Sequence, residues 1–282
     1  MKISKVKLLG IMMTALLLIG AAVGCSDSGQ EPTKGKGSSE LKGAITVAGS
    51  TSVQPLSEEL AMAFKEKHPQ VDINVAGGGS GAGIKAAQEG TAEIGASSRD
   101  LKPDEAGSLS KTIIAKDGIA IVVHPQNKVN ELTVEQTRKI FAGEITNWDD
   151  VGGKSAAINL FTREEGSGTR DAFQEMVMGK DTKISGKASV LNATGALRTA
   201  VAGDINGIGY ISLGSLDKSV KALKIGGIEP TEATILDGTY KIARPFLYLT
   251  EGEPEGIVKA YIEFVLSSEG QKIVADKFIP VK

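Results

Sequence analysis

An α/β fold is what this 282-residue sequence predicts. Short β-like runs alternate with stretches of helical hydrophobic spacing, and turns rich in glycine and serine stand at the strand ends. Charge is near balance, with 32 Lys+Arg against 34 Asp+Glu and a net of -2, and 41% of residues are hydrophobic. That composition describes a globular chain long enough for a sizeable core. It lacks the basic surplus of a nucleic-acid binder.

The elements follow in order from about Leu41. Ala44–Ala48 reads as a strand stopped by Gly49-Ser50-Thr51-Ser52. Val53, Leu56, Leu60 and Phe64 then recur at spacings of three and four, one face of a helix that Pro69 ends. Val71, Ile73 and Val75 alternate with polar residues in a second strand, which runs into the glycine-rich segment 77–83. A short helix over Ile84–Glu89 and a strand over Ala92–Ala96 complete a β-α-β-α-β unit.

A second unit opens with the buried-type strand Gly118–Val123. Thr133 and Gln136 form a capping-box pattern, so a helix starts there and reaches about Phe141. Ile158–Thr162 is a strand, Ala172, Phe173, Met176 and Val177 mark a helix, and Ile208–Ile211 is a further strand. The chain closes with a strand over Pro245–Thr250 and a helix carrying Ile257, Tyr261, Phe264 and Val265 on one face.

The first 40 residues differ in kind. Lys2, Lys5 and Lys7 precede an apolar run from Leu8 to Gly20, then small residues ending in Gly24-Cys25. The run is shorter than the roughly 20 residues a spanning helix needs. Residues 1–24 therefore read as a signal peptide. The segment resembles a bacterial lipoprotein signal, with Ala22 where that pattern most often has Leu, which makes Cys25 the lipidated first residue. An ordinary signal peptide cut nearby is the alternative. Cys25 is the sole cysteine, so no disulfide forms within the chain. Residues 25–40 contain almost no large apolar side chain and read as a flexible tether.

Three loops share one design, with small hydroxyl residues and glycines after a strand and before a helix. They are Gly49–Ser52, Gly79–Gly83 and Gly166–Thr169. A helix N-terminus offers unpaired N–H donors and a partial positive charge, which attract an anion. Each loop alone also fits an ordinary capped turn; three in one chain favour the anion. Arg163 could fork two oxygens of a tetrahedral anion, or pair at the surface with Glu164 or Glu165. Ser97-Ser98-Arg99-Asp100 supplies further donors, with Arg99 either a second cation or the partner of Asp100. No P-loop, nucleophile elbow or metal-ligand spacing is present, so an enzyme, such as a lipid-anchored phosphatase, has little support.

Six segments in order, GSTSVQPL (49–56), GGGSGAG (77–83), GASSRDL (95–101), FAGEITNWDDVGG (141–153), REEGSGTR (163–170) and IGYI (208–211), resemble the phosphate-binding subunit of bacterial phosphate ABC importers, in its shorter branch. The resemblance implies a type II periplasmic-binding-protein fold, two α/β lobes joined by two crossover strands. Lobe one would comprise 41–117 plus 241–282, and lobe two 118–240. It implies phosphate donors at Thr51, Ser52, Ser80, Ser98, Arg163, Ser167, Gly168 and Thr169, with Ser50, Arg99 and Glu165 in support. Glu165 takes the place of an acidic residue that pairs with the arginine. Ser98 stands where longer members carry the carboxylate that accepts the ligand's proton. The implied partners are inorganic phosphate and the importer's permease subunits, with no cofactor, metal or nucleic acid, and a monomer held at the membrane by its lipid alone. The alternative is a binding protein of the same fold for another oxyanion, such as sulfate or molybdate.

Overall fold

A computed structural model describes residues 41–281; the signal peptide, Cys25 and the tether lie outside the described residues. The first unit is β1 (Gly43–Gly49), α1 (Gln54–Lys67), β2 (Val71–Gly77), α2 (Ser80–Gln88) and β3 (Ile94–Ser97). β1 lies between β2 and β3, parallel to both. α1 starts with Pro55 in its first turn, where the missing N–H costs nothing, and ends at His68 before Pro69. It buries Leu56, Leu60 and Phe64, the face the spacing assigned. α2 begins at Ser80, four residues before the expected Ile84, so the glycine-rich loop is itself the first helical turn. Gly83 permits this, since a Cβ there would lie 2.5 Å from the Ala48 carbonyl oxygen.

β4 (Leu109–Val123) is 15 residues long, and only its second part was legible. Residues 119–123 are wholly buried and read as an apolar run, whereas 109–117 include Lys111, Lys116 and Asp117 and keep one side partly exposed. There follow β5 (Glu131–Leu132), α3 (Val134–Ala142), β6 (Asn159–Arg163), α4 (Gly168–Phe173), β7 (Ser189–Leu191), α5 (Thr194–Ala202) and β8 (Gly207–Ser212). α3 has the expected capping box between Thr133 and Gln136. α4 runs on into a π turn over Gln174–Met178. The chain ends through β9 (Lys221–Ala222), β10 (Lys224–Ile225), α6 (Glu232–Leu236), β11 (Ala243–Glu251), α7 (Gly256–Val265) and α8 (Ser268–Ala275).

Among the described residues, one sheet has the strand order β2-β1-β3-β11-β4-β8-β6-β7, with β9 on β4. β4 carries the chain from the first half of this sheet to the second, and β11 brings it back. Up to Gly118, β4 pairs antiparallel with β11; from Ile119 it pairs with β8. Each half has its own core. Ile45, Leu60, Phe64, Ile94, Phe246 and Tyr261 fill one, and Ile121, Phe141, Trp148, Phe173, Ile208 and Tyr210 fill the other. No helix among the described residues is long and apolar enough to cross a membrane.

Candidate anion site

The first half contributes five hydroxyls from three strand ends. Ser50, Thr51 and Ser52 form the turn between β1 and α1, where the Ser50 carbonyl accepts from the amides of Val53 and Gln54. Ser80 opens α2, and Ser98 follows β3. Parallel strands place these ends side by side. Ser50 Oγ donates to Ser98 Oγ at 2.9 Å, and the Ser98 amide donates to Ser80 Oγ at 3.0 Å. Ser50, Ser52, Ser80 and Ser98 are all buried.

The second half brings the charge. Arg163 ends β6 and is only 2% exposed. Its Nε and Nη2 donate to the two carboxylate oxygens of Glu164, each at 2.8 Å. The outer face of the guanidinium reaches the hydroxyls, with Nη1 on Thr194 Oγ1 at 3.0 Å and Nη2 on Thr51 Oγ1 at 3.1 Å. Tyr210 supports it from below, accepting from the Arg163 amide at 3.4 Å and bonding Thr162 Oγ1 at 2.6 Å. Burial pushes the Tyr210 phenol up to about 12, and Phe173 stacks on its ring.

Ser167 caps α4 by accepting from the Arg170 amide. Thr169 Oγ1 lies 2.9 Å from Ser52 Oγ, which is also 2.9 Å from Thr194 Oγ1. Gly168 fits between the halves because it has no side chain. A Cβ there would come within 2.3 Å of Ser80 Oγ and 2.7 Å of Ser98 Oγ. A direct backbone bond, Gly81 N–H to the Gly166 carbonyl at 2.9 Å, closes the same seam.

A second guanidinium approaches from the crossover strands. Arg244 on β11 faces Asp117 on β4 in register, and both are buried. Arg244 Nη2 and Nε donate to Asp117 Oδ2 at 3.0 and 3.2 Å, and Nη1 donates to Ser98 Oγ at 3.2 Å. Burial pushes the Asp117 carboxyl up; Arg244, the Ser212 hydroxyl and the Gly214 amide pull it back. Burial likewise pushes Arg244 down, against the attraction of Asp117. A guanidinium keeps its charge through such a shift.

Thr51, Ser52, Ser80, Ser98, Arg163, Gly168 and Thr169 thus meet in one cluster, with Ser50 behind Ser98 and Ser167 at the adjoining cap. Two supporting expectations are corrected. Glu164, not Glu165, holds Arg163, because the chain turns at Gly166, with φ +82°, and leaves Glu165 exposed. Arg99 does not turn to the hydroxyls, because other partners hold its guanidinium. Glu105 takes Nη1 and Nη2 at 2.6 and 2.7 Å, and Asp171 on α4 lies 2.8 Å from Nε. Asp100 offers Arg99 its carbonyl, at 2.8 Å, rather than a carboxylate partner.

Three residues escaped the sequence reading in their present roles: Thr194, Arg244 and Asp117. Thr194 had a signal, since Asn192-Ala193-Thr194-Gly195 leads from β7 into the first turn of α5 and repeats the design of the other loops. Arg244 and Asp117 had none. Their partnership exists only through the register of two strands far apart in the chain.

A buried, donor-rich cluster assembled from both halves, across two crossover strands, defines the class as a two-lobed solute-binding protein. The profile of the PBP superfamily domain matches residues 29–269. The phosphate-binding protein PstS of Bacillus subtilis is 32% identical over 291 residues, covering 100% of this chain and 95% of that protein. Its namesake from Borreliella burgdorferi is 30% identical over 251 residues, covering 84% and 90%. The chain belongs to the PstS family of phosphate-binding proteins, within the PBP superfamily. Among solved structures, a putative phosphate ABC transporter substrate-binding protein of Clostridium perfringens, with bound phosphate, is 45% identical. It superposes with a TM-score of 0.83, covering 85% of this chain and 100% of that one. An ABC-type phosphate transport receptor of Vibrio cholerae is 38% identical with a TM-score of 0.70, covering 83% and 99%. The fold is the type II periplasmic-binding-protein fold, two α/β lobes joined by two crossover strands.

Proposed function

We propose that the chain captures inorganic phosphate between lobe one (41–117 plus 241–282) and lobe two (118–240) and hands it to the permease subunits of an ABC importer. Arg163 carries the reading: a cation 2% exposed, on lobe two, donates to Thr51 on lobe one. A charge is buried at such cost only where paired and hydrogen-bonded, and an oxyanion between the lobes would complete that set. The donors would be Arg163 and the hydroxyls of Thr51, Ser52, Ser80, Ser98 and Thr169, with Ser167 and Gly168 at the start of α4. The protein acts by binding and release, and its relatives' names support the same ligand.

The protein works outside the cytoplasmic membrane as a monomer, tethered through lipid on Cys25 by residues 25–40. Two or more acyl chains hold a protein stably where one does not. Calorimetric titration with phosphate, sulfate and molybdate tests the binding claim, with and without a chelator. One saturable phosphate site indifferent to the chelator is expected. No phosphate binding, or binding that the chelator abolishes, would overturn it.

A further inference from the structure

Ser98 Oγ accepts from Ser50 Oγ at 2.9 Å and from Arg244 Nη1 at 3.2 Å. A hydroxyl has two lone pairs and one proton. Both lone pairs of Ser98 are therefore taken, and its own proton is left to donate, here toward Ser80 Oγ at 3.3 Å. Thr51 is arranged the same way from the other side, accepting from Arg163 Nη2 at 3.1 Å and from the Thr194 amide at 3.2 Å. Each arginine thus fills one lone pair of a cluster hydroxyl whose other lone pair is also taken, which makes the hydroxyl a donor; for Thr51 the nearest acceptor is Thr194 Oγ1 at 3.3 Å.

The carboxylates paired with these two arginines are closed to a ligand as well. Asp117 receives Arg244 on one oxygen, and Ser212 Oγ at 2.9 Å and the Gly214 amide on the other. Glu164 is engaged by Arg163 through both oxygens.

We propose that Arg244 is a specificity-determining residue, the second cation of the site and the group that fixes Ser98 as a donor, so that the site takes phosphate as its dianion in preference to its monoanion. This rests on the phosphate reading above and goes beyond it. A monoanion brings two protons that need acceptors; a dianion brings one and more charge for the two guanidiniums. Sulfate brings none, so discrimination against sulfate at Ser98 is weak.

Groups facing Arg244 and Ser98 are Asp117 on β4, Arg163 on β6 and Tyr210 on β8, while Glu165 and, on α4, Arg170 and Asp171 line the same cavity as Arg244. Arg99, next in the chain to Ser98, is closed by Glu105 and Asp171. Both histidines lie elsewhere, His68 against Phe64 and His124 accepting from the Gln126 amide. The ligand's own second proton is thus the group that changes.

The test is calorimetric titration of the protein with inorganic phosphate through the pH range in which phosphate loses that proton. Sulfate, unprotonated throughout, is titrated in parallel as the control for protein groups. Apparent phosphate affinity should rise with the dianion fraction, about tenfold per pH unit on the acid side, while sulfate affinity stays level. In Arg244→Lys, which keeps charge but loses the fork, the slope should flatten and affinity at the basic end should fall by about tenfold. Ser98→Asp, which installs an acceptor, should also flatten the slope and weaken sulfate binding at least tenfold. A level wild-type profile for phosphate, or an unchanged slope in the folded variants, overturns the proposal while phosphate binding itself stands. Absence of phosphate binding at every pH overturns both.

Discussion

Arg163 and Arg244 reach the same hydroxyl cluster on different supports. Arg163 stands at a strand end with its carboxylate, Glu164, next in the chain and 23% exposed. Arg244 stands within a crossover strand, and its carboxylate, Asp117, comes from the neighbouring strand with no exposure at all. A carboxylate at the rim can rehydrate when its partner is lost; one sealed between strands cannot. The same charge pair is therefore chiefly a binding device at one end of the cluster and also a structural one at the other.

The largest effects should separate the two ends. Arg244→Ala strands Asp117 in the interior, and the unfolding free energy should drop by about 3–5 kcal/mol, the usual cost of breaking a buried pair. Arg163→Ala should cost less stability, about 1–2 kcal/mol, while weakening phosphate binding by about 2–5 kcal/mol. Urea unfolding without phosphate and calorimetry with it measure the two quantities. Equal stability losses would erase the distinction drawn between the arginines.

A smaller effect sharpens the Arg163 end. Glu164→Gln keeps the shape of the fork but removes its charge, and phosphate affinity should fall by about 1 kcal/mol. Glu165→Gln lies at the exposed surface, where a substitution changes free energies by about 0.5 kcal/mol or less. The ratio of phosphate to sulfate affinity should then be the same as in the unaltered chain. If Glu165→Gln moved that ratio and Glu164→Gln moved nothing, the assignment of Arg163's partner would be reversed.

The Arg163 end was legible because its chemistry is local. A strand, Arg163, a glycine-serine turn and a helix follow one another within about a dozen residues, as do Ser50–Ser52 and Ser80 at the ends of their strands. What sequence spacing could not supply was which of two adjacent glutamates turns inward, since Gly166 decides that through its backbone. The Arg244 end was illegible for the opposite reason. Its partner lies 127 positions earlier, in the polar part of β4 that carries no strand-like apolar run. Arg99 was readable as a cation but not as an occupied one, because Asp171 reaches it from α4 only once the lobes are packed. α5, with Thr194, was missed although its loop repeats the recognised design.

A crystal structure of the protein grown with inorganic phosphate would show whether the hydroxyl cluster is where the ligand sits. One phosphate should lie between the lobes, its oxygens within hydrogen-bond distance of the Arg163 guanidinium and of the Thr51, Ser52, Ser80, Ser98 and Thr169 hydroxyls. No side-chain acceptor should stand at Ser98, whose hydroxyl remains held by Arg244. Phosphate bound instead beside Arg99 and Arg170, with the hydroxyl cluster left as it stands, would place the site elsewhere.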